Sequence, residues 1–356
     1  MPAFAGSAAE PPLADSYHAL LRRCGGGDGG APNEAPLPVA EECELPMIDV
    51  GCLTRDGCGG GGSSEAERAA CAAAIARAAE EWGFFQVRNH GVAPGLLDAM
   101  RREQARLFRL PFEAKSTGGL LNDSYRWGTP TATSPRQLSW SEAFHVPLAG
   151  VSGNAAGCNF GDLTALRDVT REVAGAMSKL AGTLARVLAE ALLGAAAERG
   201  FPEGCDETTC FLRLNRYPPC PVSPAPDDAC FGLVPHTDSD FLTVLCQDGV
   251  GGLQLMKGAR WVAVKPIPGA LVVNIGDLFQ AWSNNRYKSV EHKVMTNAMT
   301  ERYSVAYFLC PSYYSPIGTC QEPSPYRTFT FGEYRRKVQE DVKRTGKKIG
   351  LPNFLV

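Results

Sequence analysis

From Thr208 to Pro311 the chain is a succession of short apolar runs broken by turn residues, and this constrains the fold more than any other feature. The runs are C-F-L-R-L-N-R-Y, F-L-T-V-L-C-Q, L-Q-L-M, W-V-A-V, A-L-V-V-N-I, H-K-V-M and Y-S-V-A-Y-F-L, with Gly-Gly, Pro-Gly and Asn-Asn pairs between several of them. Each is too short for a helix of ordinary length, and β-branched and aromatic residues dominate. Many short strands with turn signals argue for a sandwich or jelly roll.

The residues on either side read differently. Leu45–Val50 suits a short strand, and Ser64 with Glu67 forms a capping box for an Ala-rich helix through Glu81. Phe84–Val87 reads as a strand and Gly91 as a turn. Pro94–Leu107 places Leu97, Met100 and Leu107 on one helical stripe, and Leu163–Leu193 carries a longer stripe from Leu166 to Leu188. The closing helix turns Phe331, Tyr334, Val338 and Val342 inward, with Lys347-Lys348 at its C-terminal end. The predicted class is α+β: a double-stranded β-helix (jelly roll) core, N-terminal helices, and a long spine helix packed on the sheet. The predicted divisions are a flexible N-terminal segment with a short strand (1–64), a helical region (45–200), the jelly roll (206–311) and a helical closure (312–356). Two glycine-rich runs, Cys24–Pro32 and Asp56–Ser64, read as linkers.

A net charge of −3 offers no footprint for nucleic acid or an anionic membrane surface. No apolar run approaches the roughly 18 residues that a membrane span needs. The N-terminus has no basic region followed by an apolar core, so a cytoplasmic protein without a signal peptide is expected. The 13 cysteines are scattered without a C-x-x-C pair and read as reduced thiols, which removes the main support for a zinc ribbon or a disulfide scaffold.

Within the strand-rich region, V-P-H-T-D-S-D-F places His236 and Asp238 two residues apart, hence on one face of an extended chain. S-V-E-H-K-V brings His292 on a later strand. Taken singly, each histidine reads as a buried, hydrogen-bonded residue. Together, two imidazoles and a carboxylate form a facial triad for Fe(II) with open positions for substrate and O2. Zinc accepts the same donors, although the H-E-x-x-H hydrolase signature is absent. Asp240 shares the face and is a rival ligand one pleat further away. Arg302 and Ser304 occupy one face of the following strand, where a guanidinium can meet a carboxylate bidentately, and this favours iron with a 2-oxo acid. Asn215 and Tyr217 share a face and can hydrogen-bond that acid; the alternative for Tyr217 is packing on Pro218.

The motifs E-W-G-F-F-Q-V-R-N-H-G (81–91), L-R-L-N-R-Y-P-P-C-P (212–221), G-L-V-P-H-T-D-S-D-F-L-T-V-L-C-Q-D (232–248), L-V-V-N-I-G-D-L-F-Q-A-W-S-N-N-R-Y-K-S-V-E-H-K-V (271–294) and E-R-Y-S-V-A-Y-F-L-C-P (301–311) resemble the plant soluble 2-oxoglutarate/Fe(II) dioxygenases. Residues 122–148 and 206–217 look like the gibberellin 2-oxidases, in the branch acting on C20 precursors. The resemblance implies His236, Asp238 and His292 as iron ligands. It implies Arg302 and Ser304 as contacts to the distal carboxylate of 2-oxoglutarate, with Tyr217 assisting and Asn215 nearby. It further implies O2 as co-substrate, ascorbate as reductant, and hydroxylation at carbon 2 of a gibberellin with release of succinate and CO2. A gibberellin 3- or 20-oxidase and a flavonoid-type enzyme are the neighbouring readings, and a non-catalytic binding protein on the same fold is the distant one. A gibberellin is a rigid apolar skeleton with carboxylates, so its pocket calls for apolar walls and cations. Tyr125, Arg126, Trp127, Arg136, Trp140, His145, Phe308 and Tyr313 are the candidates for that role. The sequence leaves the oligomeric state open.

Overall fold

The computed structural model describes residues 10–24, 40–54, 64–151, 157–194, 205, 209–221 and 230–356. Residues 25–32 and 56–63 of the glycine-rich runs, and 206–208 at the start of the strand-rich region, lie outside them. The N-terminal part carries α1 (Leu13–Cys24), β1 (Glu41–Cys43), β2 (Met47–Asp49), α2 (Gly51–Thr54), α3 (Glu65–Glu81), β3 (Phe84–Arg88), α4 (Pro94–Phe108), α5 (Phe112–Thr117), β4 (Tyr125–Trp127), β5 (Glu142–Pro147) and α6 (Thr164–Leu193). The strand-rich part follows with β6 (Phe211–Tyr217), β7 (Phe231–His236), β8 (Leu242–Gln247), β9 (Leu253–Lys257), β10 (Arg260–Val264), β11 (Leu271–Ile275), α7 (Asp277–Trp282), β12 (His292–Met295) and β13 (Arg302–Leu309). After these come β14 (Pro316–Ile317), β15 (Phe329–Thr330) and α8 (Phe331–Thr345).

The strands form an eight-stranded sheet in the order β2-β3-β11-β8-β13-β6-β5-β4, a five-stranded sheet in the order β1-β10-β9-β12-β7, and a β14-β15 pair. β7 contains Pro235 and lies at an edge of its sheet, where the missing N–H costs no ladder bond. Phe84, Tyr217, Leu253, Leu255, Val272 and Val294 pack between the two large sheets. The outer face of the larger sheet is covered by α3, α4 and α6. The α6 stripe of Leu166, Val173, Met177, Leu180 and Leu184 is buried there, each such side chain contributing on the order of 1.5–3 kcal/mol. The Ser64 capping box is present: the Ser64 hydroxyl accepts from Glu67 N, and Ser64 N donates to the Glu67 carboxylate.

α1 departs from the flexible segment expected over 1–64. Leu13, Tyr17 and Leu20 recur at helical spacing and pack with Leu138, Trp140, Cys220 and Cys230. Just before it, Glu10 accepts from Arg216 Nη2 at 2.8 Å, which ties the helix to the back of β6. That arginine belongs to a buried charge cluster. Its Nη1 donates to Glu142 (2.7 Å) and its Nε to Glu301 (2.9 Å), while Lys115 Nζ and the Tyr125 hydroxyl both reach the second Glu142 oxygen at 2.5 Å. The cluster fixes β4, β5 and β6 against α5 on the helix-covered face of the sheet.

Candidate active site

His236 ends β7 and His292 begins β12, and the two are paired in register across the antiparallel ladder. Asp238 follows β7 at the spacing that returns its side chain to the same face. The Nε2 atoms of His236 and His292 lie 3.6 and 3.7 Å from Asp238 Oδ1. Each ring is oriented by a carbonyl two residues earlier: Val234 O takes the Nδ1 of His236 at 2.8 Å, and Val290 O that of His292 at 3.0 Å. A carbonyl only accepts, so each Nδ1 carries a proton and each ring turns its Nε2 towards the carboxylate. Asp238 Oδ2 is occupied by Thr243 Oγ1 (2.7 Å) and Asn274 Nδ2 (2.8 Å), and Oδ1 faces the histidines. Ligand atoms of the three residues lie within 4.8 Å of one another, the one such group among the described residues.

The electrostatics agree with a cation site. Burial alone raises the Asp238 carboxyl, but His292, His236 and the hydrogen bonds from Asn274 and Thr243 outweigh it and hold the group below its ordinary value. Burial, then His292, lowers His236 and keeps it neutral as a ligand must be. Asp240 behaves oppositely: burial and the neighbouring Asp238 raise it well above the carboxylate range. Its Oδ2 engages Thr243 Oγ1 at 2.9 Å, so its contact to the triad runs through that hydroxyl. Two imidazoles with Nε2 turned inward, one ionised carboxylate and hydrogen-bonded outer partners fit Fe(II).

Beside the triad, β6 and β13 pair with Tyr217 opposite Arg302 and Asn215 opposite Ser304. Arg302 is 3% exposed; its Nη2 donates to Gln247 Oε1 at 2.7 Å, whereas its buried Nε and Nη1 have no acceptor. The guanidinium lies 4.9 Å from the Tyr217 ring centroid, and Asn215 Nδ2 donates to Ser304 Oγ at 3.3 Å. Two orphaned N–H groups on a buried cation, next to a hydroxyl, fit the distal carboxylate of 2-oxoglutarate. Gln104 of α4 donates to the carbonyls of both Asn215 and Ser304 (3.0 and 2.9 Å) and clamps the two strands at this level.

The next rungs up the same sheet face line the rest of the cavity. Arg213 stands between His145 on β5 and Ala306 on β13, and Phe211 is opposite Phe308. His145, Phe211 and Phe308 stack, with centroids 5.4 and 4.5 Å apart and planes within 14° and 10°. Burial, then Arg213, Arg126 and Arg335, lowers His145 to about 3, so the ring is neutral. A cavity of about 210 Å³ contains the triad, Arg302 and Arg213; an adjoining one of about 400 Å³ contains Tyr313 and Arg335.

Of the eight substrate candidates, His145, Phe308 and Tyr313 line these two cavities. The Tyr125 hydroxyl is committed to Glu142, and Trp140 is buried against Tyr17 with its indole N–H on the Pro219 carbonyl at 3.3 Å. Arg126 and Trp127 line a different cavity, closed by α1, and Arg126 donates to the Asp123 and Tyr125 carbonyls. Arg136 lies in a 3-10 turn and lines none of these cavities. Sequence reasoning missed Arg213, Phe211, Thr243, Gln247, Asn274 and Arg335. Arg213 and Phe211 were accessible to it, since they continue the alternation that singled out Asn215 and Tyr217. Asn274 and Gln247 carry no local signal; only the sheet order brings them in.

Two family models match the chain: 2OG-Fe(II) oxygenase superfamily over residues 208–311, and non-haem dioxygenase in morphine synthesis N-terminal over 45–153. Gibberellin 2-beta-dioxygenase 6 of Oryza sativa subsp. japonica is 68% identical, the match covering 99% of this chain and 98% of the relative. Gibberellin 20 oxidase 2 of Oryza sativa subsp. indica is 35% identical, over 88% of this chain and 80% of the relative. The crystal structure of JOX2 in complex with 2OG, Fe and JA aligns with a TM-score of 0.72 at 30% identity, over 98% of this chain and 99% of that one. Motif, fold and relatives converge: the chain is a member of the 2OG-Fe(II) oxygenase superfamily and, within it, of the gibberellin 2-beta-dioxygenase family.

Proposed function

We propose that this enzyme hydroxylates carbon 2 of gibberellins, with C20 precursors as its substrates, and so removes them from the hormone pathway. The observation that carries the reading is the combination of the His236–Asp238–His292 cluster with a buried Arg302 holding two unused N–H groups. The substrate assignment is supported by the 68% identity to a gibberellin 2-beta-dioxygenase along the whole chain, against 35% to a 20-oxidase.

In this reading His236, Asp238 and His292 hold Fe(II), and Arg302, Ser304, Tyr217 and Asn215 hold 2-oxoglutarate. Bound there, the iron couples O2 reduction to oxidative decarboxylation of 2-oxoglutarate, one oxygen atom entering succinate and the other the new hydroxyl. The protein's part is orientation. Val234 and Val290 aim the two rings, Thr243 and Asn274 hold Asp238 so that one oxygen stays free, and Tyr217 lies against the Arg302 guanidinium. Regiochemistry then depends on which C–H the walls of Phe211, Phe308 and His145 present. No protein acid–base pair is needed. Ascorbate is the external reductant in this reading. The chain divides functionally into the helical region (45–200), the jelly roll (206–311) and the closure (312–356), behind the N-terminal segment (1–64).

The test is incubation with Fe(II), 2-oxoglutarate, ascorbate and a gibberellin panel, followed by mass-spectrometric location of the new hydroxyl. The expected product is hydroxylated at carbon 2 with one succinate formed per turnover. A hydroxyl at another carbon overturns the assignment.

A further inference from the structure

Two guanidinium groups on the substrate side of the cavity lack a carboxylate partner. Arg213 shares the β6 face with Asn215 and Tyr217, and its Nε donates to Asn215 Oδ1 at 2.8 Å. Its two terminal nitrogens have no acceptor among the described residues, and it takes part in no salt bridge there. Arg335, on α8, gives Nη1 to the Tyr313 hydroxyl at 2.5 Å and lies over the Tyr313 and Phe331 rings, 5.4 and 5.8 Å from their centroids. It too has no carboxylate partner there. Of the acidic residues on the walls, Asp238 belongs to the triad, and Asp240 engages Thr243 through Oδ2 while its buried Oδ1 has no partner.

Both guanidiniums are half-buried, and a half-buried cation without an anion carries a desolvation cost that an arriving anion recovers in part. Arg302 accounts for the one anion that 2-oxoglutarate brings to its end of the site. Arg213 and Arg335 are surplus to it, one in the inner cavity and one in the outer. The flat wall of His145, Phe211 and Phe308 belongs to both cavities.

We propose that Arg213 and Arg335 are the two carboxylate anchors of the substrate site, and that together they select a rigid apolar dicarboxylate over a monocarboxylate. The inference rests on the gibberellin reading above and sharpens it. A C20 gibberellin precursor keeps two free carboxylates, whereas in a C19 gibberellin one of them is closed into a lactone. A skeleton lying on the Phe211–Phe308 wall with a carboxylate at each arginine fixes both translation and rotation, which one anchor does not.

The experiment compares wild type, Arg213→Met and Arg335→Met on a dicarboxylic gibberellin, its two monomethyl esters and a lactone monocarboxylate, recording kcat and KM for gibberellin and KM for 2-oxoglutarate. Wild type is expected to favour the dicarboxylate by at least about tenfold in kcat/KM and to lose about tenfold on either esterification. Each variant should raise the dicarboxylate KM by a similar factor and no longer distinguish the acid from one of the two esters. The 2-oxoglutarate KM should rise less than the gibberellin KM. Arg213→Lys and Arg335→Lys, which keep the charge, should restore part of the discrimination and serve if a methionine variant fails to fold. Unchanged dicarboxylate KM values, or variants that lose acid and ester alike, overturn the anchors while leaving carbon 2 hydroxylation standing. A wild-type enzyme that hydroxylates no gibberellin at carbon 2 overturns both.

Discussion

In β6 and β13 the chemistry-bearing side chains fall on alternate residues, and all of them end in one cavity. Between 122 and 148 the sequence offers an equally suggestive set of aromatic and basic residues, and the fold disperses them. Tyr125 turns to Glu142, Trp140 joins α1, Arg126 and Trp127 border another cavity, and only His145 reaches the substrate side. The difference is one of backbone geometry. A strand paired on both edges makes facing a function of residue parity. The 122–148 segment mixes turns, a 3-10 turn and two strands, β4 and β5, so most neighbours in sequence are not neighbours on a face.

The largest effect should come from the strand-borne cluster. Asp238→Ala removes the anionic ligand, and its loss of iron affinity should exceed the roughly 100-fold upper range for losing a partner that merely orients a ligand. Anaerobic Fe(II) titration reads this directly, and near-normal iron binding would move the ligand role to Asp240. Arg302→Gln should act on the co-substrate instead. Losing two charge-assisted hydrogen bonds, each about 1.5–3 kcal/mol, predicts a KM for 2-oxoglutarate higher by roughly 10²–10⁴-fold. An increase below threefold would leave the two orphaned N–H groups unexplained.

The 122–148 side should respond in stability before activity. Lys115→Met leaves Glu142 with Arg216 and Tyr125 alone, and removing one member of a fully buried pair costs about 3 kcal/mol. Thermal or denaturant unfolding should show that loss, with kcat of the folded fraction within about twofold. A smaller effect attaches to His145. Its folded-state value of about 3 lies below the ordinary 6.5, so the unfolded chain binds the proton more readily in that interval. Stability is therefore fully present above about pH 6.5 and drains as pH falls towards 3, at up to about 1.4 kcal/mol per unit. His145→Gln should remove that slope while leaving the steeper loss from the other groups; an unchanged acid-unfolding profile would contradict the buried neutral ring.

What could be read in the sequence follows the same division. The jelly roll was legible because Gly251-Gly252, Pro268-Gly269 and Asn284-Asn285 punctuate strands whose alternation is regular, and the triad because H-x-D puts two ligands on one face. The α6 spine was legible from its stripe alone. α1 was not, because its apolar residues meet Trp140 and Leu138 from far along the chain and the glycines after Cys24 dominate the local composition. Asn274 and Gln247 stayed hidden for a related reason: a side chain that supports a site across two strands leaves no trace in its own neighbourhood.

The smallest expected effect is the most discriminating for that comparison. Arg126 is exposed on β4 and its Nη1 is spent on the Asp123 and Tyr125 carbonyls, so Arg126→Ala should change the gibberellin KM by less than about twofold. Its charge does reach the His145 ring, and a small upward shift of that histidine is the one trace the change should leave near the substrate. A tenfold rise in KM would mean that the segment swings its arginine into the cavity when substrate arrives. Residues 122–148 would then act as a closing wall, and their scatter would describe the open form alone.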